Sequence, residues 1–599
     1  QALYRWGCTK LVDELFSKFK FLRILSLSGG YLKEMPDSVG NLKHLRSLDL
    51  SYTDIEKLPD STCFLYNLQV LKLNSCHYLE ELPSNLHKLT NLRCLEFMYT
   101  KVREMPMHLG KLKNLQVLSP FYVRKGSDDF SIQQLGELNL HGRLSIGELQ
   151  NIVNPVDALA ADLKNKTHLL ELELGWNWKR NLDDSLKERQ VLDNLQPSRR
   201  LENLSILNYG GTQFPSWLLD NSLCNVVSLS LKNCKYCLRL PPLGLLPFLK
   251  ELSIEGLDGI VSINADFYES KSCSFTSLES LNFVDMREWE EWECKGVTGA
   301  FPRLQRLSIE HCPKLKGHLP EQLCHLNYLR ISGCEQLVPS ALSALDIHEL
   351  FLGDCGKLQI DHPTTLKKLT ITGHNVEAAL LEHMGRNYSC SNKNILMNSC
   401  YDFLVRLNIY YGCVSLTTIP LDIFPVLREL HICQCPNLQR ISQVHAHNHL
   451  RHLGIRECPQ LESLPEEMHV LKSMRLYGCS KLISLWKSSL GANHSLESLE
   501  IGEVDVESLP EEGVLPHSLI SLGIFKCGDL KRLDYKGLSH LSSLKTLILY
   551  DCPSLQCLPE EGLPKSISTF QIWGNCSLLK QRCRKPEGED WPKIAHIER

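Results

Sequence analysis

The sequence is poor in the features that usually announce chemistry. It has no GxxxxGKS/T phosphate loop, no GxGxxG after a strand, no HExxH and no GxSxG. Nucleotide hydrolysis, zinc proteolysis and serine-hydrolase chemistry therefore lack their usual signatures. Every long apolar run is broken by Pro, Gly or a charge within about ten residues, as in LPPLGLLPFLKEL, so none reads as a bilayer span. No charged, apolar, small signal pattern opens the chain. Charge of one sign is missing too: the formal net charge is −4 over 599 residues. That leaves no global field to recruit nucleic acid or anionic membrane, and partners must be read locally. The 25 cysteines are odd in number and lack the paired spacing of a disulfide framework. They read as reduced thiols in a reducing compartment.

Repetition stands where motifs are absent. The stretch LKTLILYDCPSLQCLP from Leu544 has the form LxxLxLxxCxxLxxLP. Close copies are LQVLKLNSCHYLEELP from Leu68, LRELHICQCPNLQRI from Leu427 and LRHLGIRECPQLESLP from Leu450. The central hydrophobe of LxL can be followed through 23 coils, from Leu25 to Phe570, at a mean spacing of about 25 residues, inside the window of leucine-rich repeats. One such coil cannot bury its own apolar face, whereas stacked coils share a continuous core. The expected fold is an α/β solenoid, a leucine-rich-repeat horseshoe of about 23 coils with a concave parallel β-sheet and a mostly irregular convex side. At roughly 4.8 Å per strand step its inner arc would be on the order of 100 Å, a surface suited to a macromolecule.

The chain divides accordingly. Residues 1–20 carry Leu11, Val12, Leu15, Phe16 and Phe19 at helical spacing, a lead-in helix or cap expected to join a missing N-terminal domain. The first residue is Gln1, which suggests a fragment of a longer protein. The solenoid occupies 21–575, with insertions near 119–140, 175–201, 286–304 and 372–404. The second should hold a helix from about Asp184 to Leu195, closed by Pro197. The third is acidic, with Trp289 and Trp292 packing back on the solenoid, and the fourth contains the short helical run VEAALLEHM. Residues 576–599 form a C-terminal cap through Leu578, Leu579, Trp591, Ile594 and Ile597. Five positions past the central hydrophobe sit Cys76, Cys234, Cys312, Cys334, Cys355, Cys435, Cys458, Cys479, Cys527 and Cys552, with Thr53 and Thr100 in the same slot. This is a structural ladder, whose small side chains are expected to pack inside while bonding a turn amide. Cys234 with Cys237, and the alternating His445, His447 and His449, are the nearest approach to metal ligands. The first pair reads as core thiols and the second lacks a fourth ligand, so no metal is expected.

Outward residues carry the sharper signal. The position after the last hydrophobe of each LxL reads, in the C-terminal coils, Tyr410, Cys433, Arg456, Tyr477, Gly502, Phe525, Tyr550 and Trp573. Neighbouring lanes add Tyr411, His431, Arg475 and Lys526. Aromatics and Arg make hot spots because they are large, stiff and able to hydrogen-bond. The liking of aromatics for strands explains any one of them as well as contact does. The lane as a group points to a partner-binding surface.

Longer blocks carry a resemblance. FLRILSLSGGYLKEMPDSVGNLKHLRSLDLSYTDIEKLPDS, LYNLQVLKLNSCHYLEELP, LRLPPLGLLPFLKELSIEG, EWEEWECKG, CPKLKGHLPE and GEDWPKIAHIE occur in this order. From about residue 10 to 599 the chain thereby resembles the leucine-rich-repeat region of plant intracellular coiled-coil nucleotide-binding disease-resistance proteins. The resemblance implies a non-enzymatic sensor. In that family a coiled-coil domain and a nucleotide-binding switch precede the repeats. ADP or ATP would thus belong to the missing switch, and no cofactor is expected in this segment. The first coils, through exposed residues such as Arg46, Asp49, Lys72 and Glu96, are implied to contact and restrain the receptor's own switch domain. The C-terminal face, through Tyr410, Tyr411, His431, Arg456, Arg475, Tyr477, Phe525, Tyr550 and Trp573, is implied to meet a pathogen effector or a guarded host protein. Oligomerisation of the full-length receptor on activation and a cytoplasmic location follow in the same way, with the nucleus and the periphery of the plasma membrane left open.

Two other classes keep a claim. An extracellular leucine-rich-repeat receptor ectodomain is favoured by N-x-S/T sequons at Asn165, Asn203, Asn387, Asn493 and Asn575. It is disfavoured by repeat endings in LP without the LxGxIP glycine. An F-box-type substrate adaptor also uses Cys-bearing repeats, but with a helical convex side.

Overall fold

The computed structural model describes residues 13–597 except 15, 17, 127–131, 180–183, 220–221, 269–273, 294–298, 321–322, 338–346, 356–364, 374–400, 412–413, 415, 444–446, 466–467 and 485–494. The chain falls into two compact units, Gln1–Cys324 and His325–Arg599. Each is a stack of repeats whose LxL segments are parallel strands. Within a strand the two hydrophobes are buried and their neighbours half-exposed, as in Glu429–Cys433, where Leu430 and Ile432 point inward. The pleat imposes this alternation, and every step to the next coil sets hydrophobe against hydrophobe.

In the first unit five three-residue strands, from Ile24–Ser26 to Val117–Ser119, pair with Leu25, Leu48, Leu71, Leu95 and Leu118 in one row. A second parallel sheet begins at Phe121–Tyr122 and runs through Gly142–Gly147, Leu169–Gly175 and Asn203–Leu207 to Arg306–Glu310. The two sheets part at Pro120, which has no N–H to give to a ladder. One extra residue is taken up there, so that Phe121 pairs with Ile146 and fills the buried seat. Repeat spacing does not reveal this interruption.

In the second unit the strands run from Tyr328–Cys334 to Thr569–Trp573. Their central row, Leu329, Leu350, Leu369, Leu407, Leu430, Leu453, Met474, Leu499, Leu522, Leu547 and Phe570, is continuous. The other side of both stacks is built chiefly of short 3-10 turns and irregular segments.

The strand exits share one device. A left-handed residue follows the strand and the ladder residue comes next: Tyr52 before Thr53, Ser75 before Cys76, Gln434 before Cys435, Asp551 before Cys552. All ten ladder cysteines are buried. Their thiols lie between backbone amides of the neighbouring turn, as between Cys435 and Cys458, and carbonyls of their own coil to which they donate. Cys312, Cys334, Cys458 and Cys479 each donate to the carbonyl two residues earlier, at 3.3 to 3.4 Å. The amide of the left-handed residue is engaged by the next coil, as Gln434 N is by Arg456 O, while the Cys552 amide donates to Cys576 Sγ at 3.2 Å. Burial pushes the Cys355 and Cys479 thiols up to about 12, so they stay protonated donors.

The second insertion contains the helix Ser185–Asn194, capped by the Asp184 carboxylate accepting from Lys187 N at 2.9 Å. In the third, Trp289 and Trp292 lie buried against Phe283. The fourth falls almost wholly outside the described residues, as does most of the lead-in helix, of which Phe16 is buried.

In the cap Leu579, Ile594 and Ile597 are buried and Trp591 half-buried. Leu578, expected to join them, is 52% exposed because the short helix Ser577–Arg582 turns only one face inward. Asp590 is the polar anchor. It is fully buried, accepts from Leu558 N at 3.0 Å, and lies 3.1 Å from Arg582 Nε and 2.9 Å from Lys593 Nζ. Burial alone would raise its carboxyl, but the guanidinium, the amide and the ammonium together hold it below the ordinary range. A carboxyl depressed in the folded state stabilises above its unfolded value, near 3.8, and loses that contribution as pH falls through the folded value. Asp590→Asn should therefore cost about 3 kcal/mol at neutral pH, because Arg582 and Lys593 lose their counter-charge. The deficit, measured by urea unfolding, should shrink on acidification below that value.

Candidate partner-binding face

The C-terminal lane is built rung by rung. Tyr410, Cys433, Arg456, Tyr477, Gly502, Phe525, Tyr550 and Trp573 are successive partners across paired strands. Spacing alone would leave the rings separate, but the glycines bring them together. A Cβ on Gly502 would stand 2.4 Å from Tyr477 Cδ1, and one on Gly523 would stand 2.4 Å from Phe525 Cε2, so each ring leans into the gap left by a missing side chain. Tyr477 and Phe525 meet across Gly502 at 5.7 Å between centroids, and Phe525 and Tyr550 at 6.1 Å. Tyr550 is 38% exposed and Trp573 57%.

Electrostatics at this cluster is internally settled. Tyr477 Oη donates to Glu500 Oε2 at 2.8 Å, and Arg475 Nε lies 3.2 Å from the same oxygen. Lys526 pairs with Glu503 at 3.1 Å, Arg456 with Glu457 at 2.9 Å, and Asp551 accepts from Asn575 N. Burial, reinforced by Glu500, raises the Tyr477 phenol well above its usual value. The result is an apolar, partly exposed shelf flanked by the ion pairs Arg475–Glu500, Lys526–Glu503 and Arg456–Glu457.

Other anticipated residues join this shelf unevenly. Tyr410 and Tyr411 form a second aromatic pair at 6.4 Å, separated from Tyr477 by the rungs of Cys433 and Arg456. His431 lies over Gly454, whose Cβ would meet Nδ1 at 2.6 Å, and burial lowers the pKa of this histidine. Glu500 and Gly523 escaped the reading of the lane, and Gly502 was in it without its part in seating Tyr477. Glycine at two outward strand positions was the available signal.

In the first unit Asp49, Lys72 and Glu96 occupy one row, with Lys72 Nζ 3.2 Å from Glu96 Oε2. Arg46 is not among them. It precedes the strand at its opposite edge, where its carbonyl accepts from Gln69 and Val70. The metal candidates are engaged elsewhere. Cys237 donates to Gly211 O at 3.2 Å. Leu450 N donates to His447 Nδ1 at 3.2 Å, and His447 Nε2 lies 2.8 Å from Phe424 O, while His445 lies outside the described residues. Among the described residues no group of His, Cys, Asp and Glu is arranged to hold a metal, and no helix is long and apolar enough to cross a membrane.

Residues 132–257 match the family model of R13L1/DRL21 leucine-rich repeats. A putative disease resistance RPP13-like protein 1 of Arabidopsis thaliana is 37% identical over 78% of this chain and 39% of its own length. The chain is related to the plant disease-resistance proteins. A second Arabidopsis thaliana protein of this kind, putative disease resistance protein At3g14460, is 41% identical over 54% of the chain and 24% of its own length. Putative disease resistance protein RGA4 of Solanum bulbocastanum is 37% identical over 50% and 30%. The chain thus spans about two fifths or less of these disease-resistance relatives. Among solved structures, a crystal structure of a TLR13–ssRNA13 complex aligns over 94% of this chain and 93% of that one at 16% identity, with a TM-score of 0.43.

Replacing Glu500 with Gln should remove the negative charge from beside the Tyr477 phenol and let its pKa fall, seen as an earlier phenolate step in an ultraviolet pH titration. Gly502→Ala should displace the Tyr477 ring and break its contact with Phe525. A crystal structure of the variant with the 5.7 Å ring separation unchanged would contradict this.

Proposed function

We propose that this chain is the ligand-sensing and autoinhibitory leucine-rich-repeat region of an intracellular plant immune receptor, with no catalysis of its own. The C-terminal shelf meets a pathogen effector or a guarded host protein. The first coils, through the row Asp49, Lys72 and Glu96, restrain an ATP/ADP switch domain elsewhere in the full receptor. The observation that carries this reading is the run of touching rings, Tyr477, Phe525 and Tyr550, continued by exposed Trp573, with Arg475 paired to Glu500 and Lys526 to Glu503 beside it. Such a cluster is pre-ordered, so little entropy is lost when a partner covers it. A ligand that fits only when the switch is released shifts the receptor by its differential affinity for the two states. Relatedness to disease-resistance proteins supports the setting.

Joint replacement of Tyr477, Phe525, Tyr550 and Trp573 by Ala should weaken effector capture by this chain at least about 30-fold, the loss of a hot spot worth roughly 2 kcal/mol or more. It should also abolish effector-triggered cell death in the full receptor at normal protein accumulation. Unchanged cell death would leave the lane a packing feature. Lys72→Glu, which reverses the middle charge of the early row, should give cell death without effector.

A further inference from the structure

The first four coils carry an ordered row of tyrosines along the edge where the chain leaves the strands. Four residues past their central leucines stand Gly29, Tyr52, Ser75 and Tyr99, the glycine at φ 73° and the other three at 59°. Backbone bonds hold the four in step: Gly29 N donates to Ser51 O at 2.9 Å, Tyr52 N to Asn74 O at 2.8 Å and Ser75 N to Met98 O at 2.7 Å. Large and small residues therefore alternate from coil to coil. The two coils with a small residue at this position supply a tyrosine slightly later, Tyr31 in the first and Tyr78 in the third. All four rings lie open to solvent, Tyr31 at 75% exposure, Tyr52 at 67%, Tyr78 at 51% and Tyr99 at 70%.

The fold does not ask for these rings. A left-handed backbone crowds a Cβ, and a bulky aromatic is a rare occupant of that conformation. Later coils of the same unit fill the position with Asn208 and Asn233, both at φ 56°. Tyr52 and Tyr99 take on the strain while keeping their rings in water, and strain held at an exposed residue points to use by a partner. The polar ends are also unspent. Among the described residues the phenol hydroxyls of Tyr31, Tyr52, Tyr78 and Tyr99 form no hydrogen bond. Charge of both signs lies along this edge, as in Lys101, which sits over the Tyr78 ring and pairs with Glu80 at 3.5 Å. Charge therefore does not select the partner, and spacing and donors must.

Neighbouring coils stand about 4.8 Å apart, which sets the backbones of Tyr52 and Tyr99 about 10 Å apart with only Ser75 between them. The two rings flank a slot floored by a small side chain. A polyproline II segment repeats every three residues, or about 9 Å, so its successive turns would meet the two rings in the same pose. Its carbonyls have no internal partners and are open to phenol donors, whereas those of a helix are spent on its own turns. We propose that this edge docks a proline-rich segment of a partner protein in the polyproline II conformation. Prolines stack on Tyr52 and Tyr99, the segment crosses the slot over Ser75, and the phenols donate to its carbonyls.

The full chain is titrated, by fluorescence anisotropy, with a labelled peptide of alanine–proline–proline repeats. A helical peptide of equal length, built of alanine, glutamine and lysine, and maltohexaose, a sugar chain that could stack on the same rings, serve as comparisons. The proline peptide should bind saturably and the helical one should not. The double change Tyr52→Asn with Tyr99→Asn should weaken binding about tenfold or more without lowering the melting temperature, since asparagine already holds this position in later coils. Ser75→Tyr adds aromatic surface but blocks the slot, and it should weaken binding as well. That variant separates a shaped site from general stickiness, and the tyrosines of both adjoining coils show that the backbone accepts it. No saturable binding of the proline peptide, unchanged or tighter binding in Ser75→Tyr, wild-type affinity in the double variant, equal binding of the helical peptide, or displacement by maltohexaose would each overturn the assignment.

Discussion

A coil of about 25 residues has no inside. Its two strand hydrophobes become core only when the same pair in the next coil lies against them, and this mutual dependence sets everything else in both units. It fixes the register, because a slip of one residue would turn each Leu outward and each Arg, Glu or Tyr inward. It makes the strands parallel, since every coil must travel round to the same edge. With each buried leucine worth roughly 2 kcal/mol, the inward row leaves the outward positions free of any duty to the fold. The row of Tyr410 to Trp573 stands on that freedom.

The strand exits obey a second, smaller constraint. The chain must leave the sheet sharply, and a left-handed residue does this at every coil that carries the ladder. The following side chain is then carried inward beside a carbonyl that the ladder leaves free. It has to be small, tolerant of burial and able to donate weakly. Cysteine fits these demands in a reducing setting, and Thr53 does the same with its hydroxyl, donating to Leu50 O at 2.7 Å.

The periodic part of this architecture was readable from one dimension. Every anticipated central hydrophobe from Leu25 to Phe570 lies in a strand, the helix capped by Asp184 begins and ends where its residues suggested, and Trp289 and Trp292 pack inward. What escaped depends on contacts between residues one coil apart that no period describes. Pro120 breaks a ladder because of the neighbouring strand's need for an N–H. Glu500 matters because Arg475 and Tyr477 reach it from the coil before. Leu578 is exposed because a helix of six residues has only one inner face. That the buried Trp176 Nε1 has no acceptor among the described residues is invisible in a sequence, which says that an indole is present but not what surrounds it.

Gly502 bears on how such a surface diversifies. Tyr477 takes its pose from the absence of a side chain in the following coil, and through that absence it touches Phe525 one coil further on. Exchanging the single coil that carries Gly502, by recombination between repeats, would evict a ring in the coil before and strand one in the coil after. The pose of the rings on this face therefore belongs not to one repeat but to a block of three, and repeats shuffled singly would preserve the fold while changing the surface it presents.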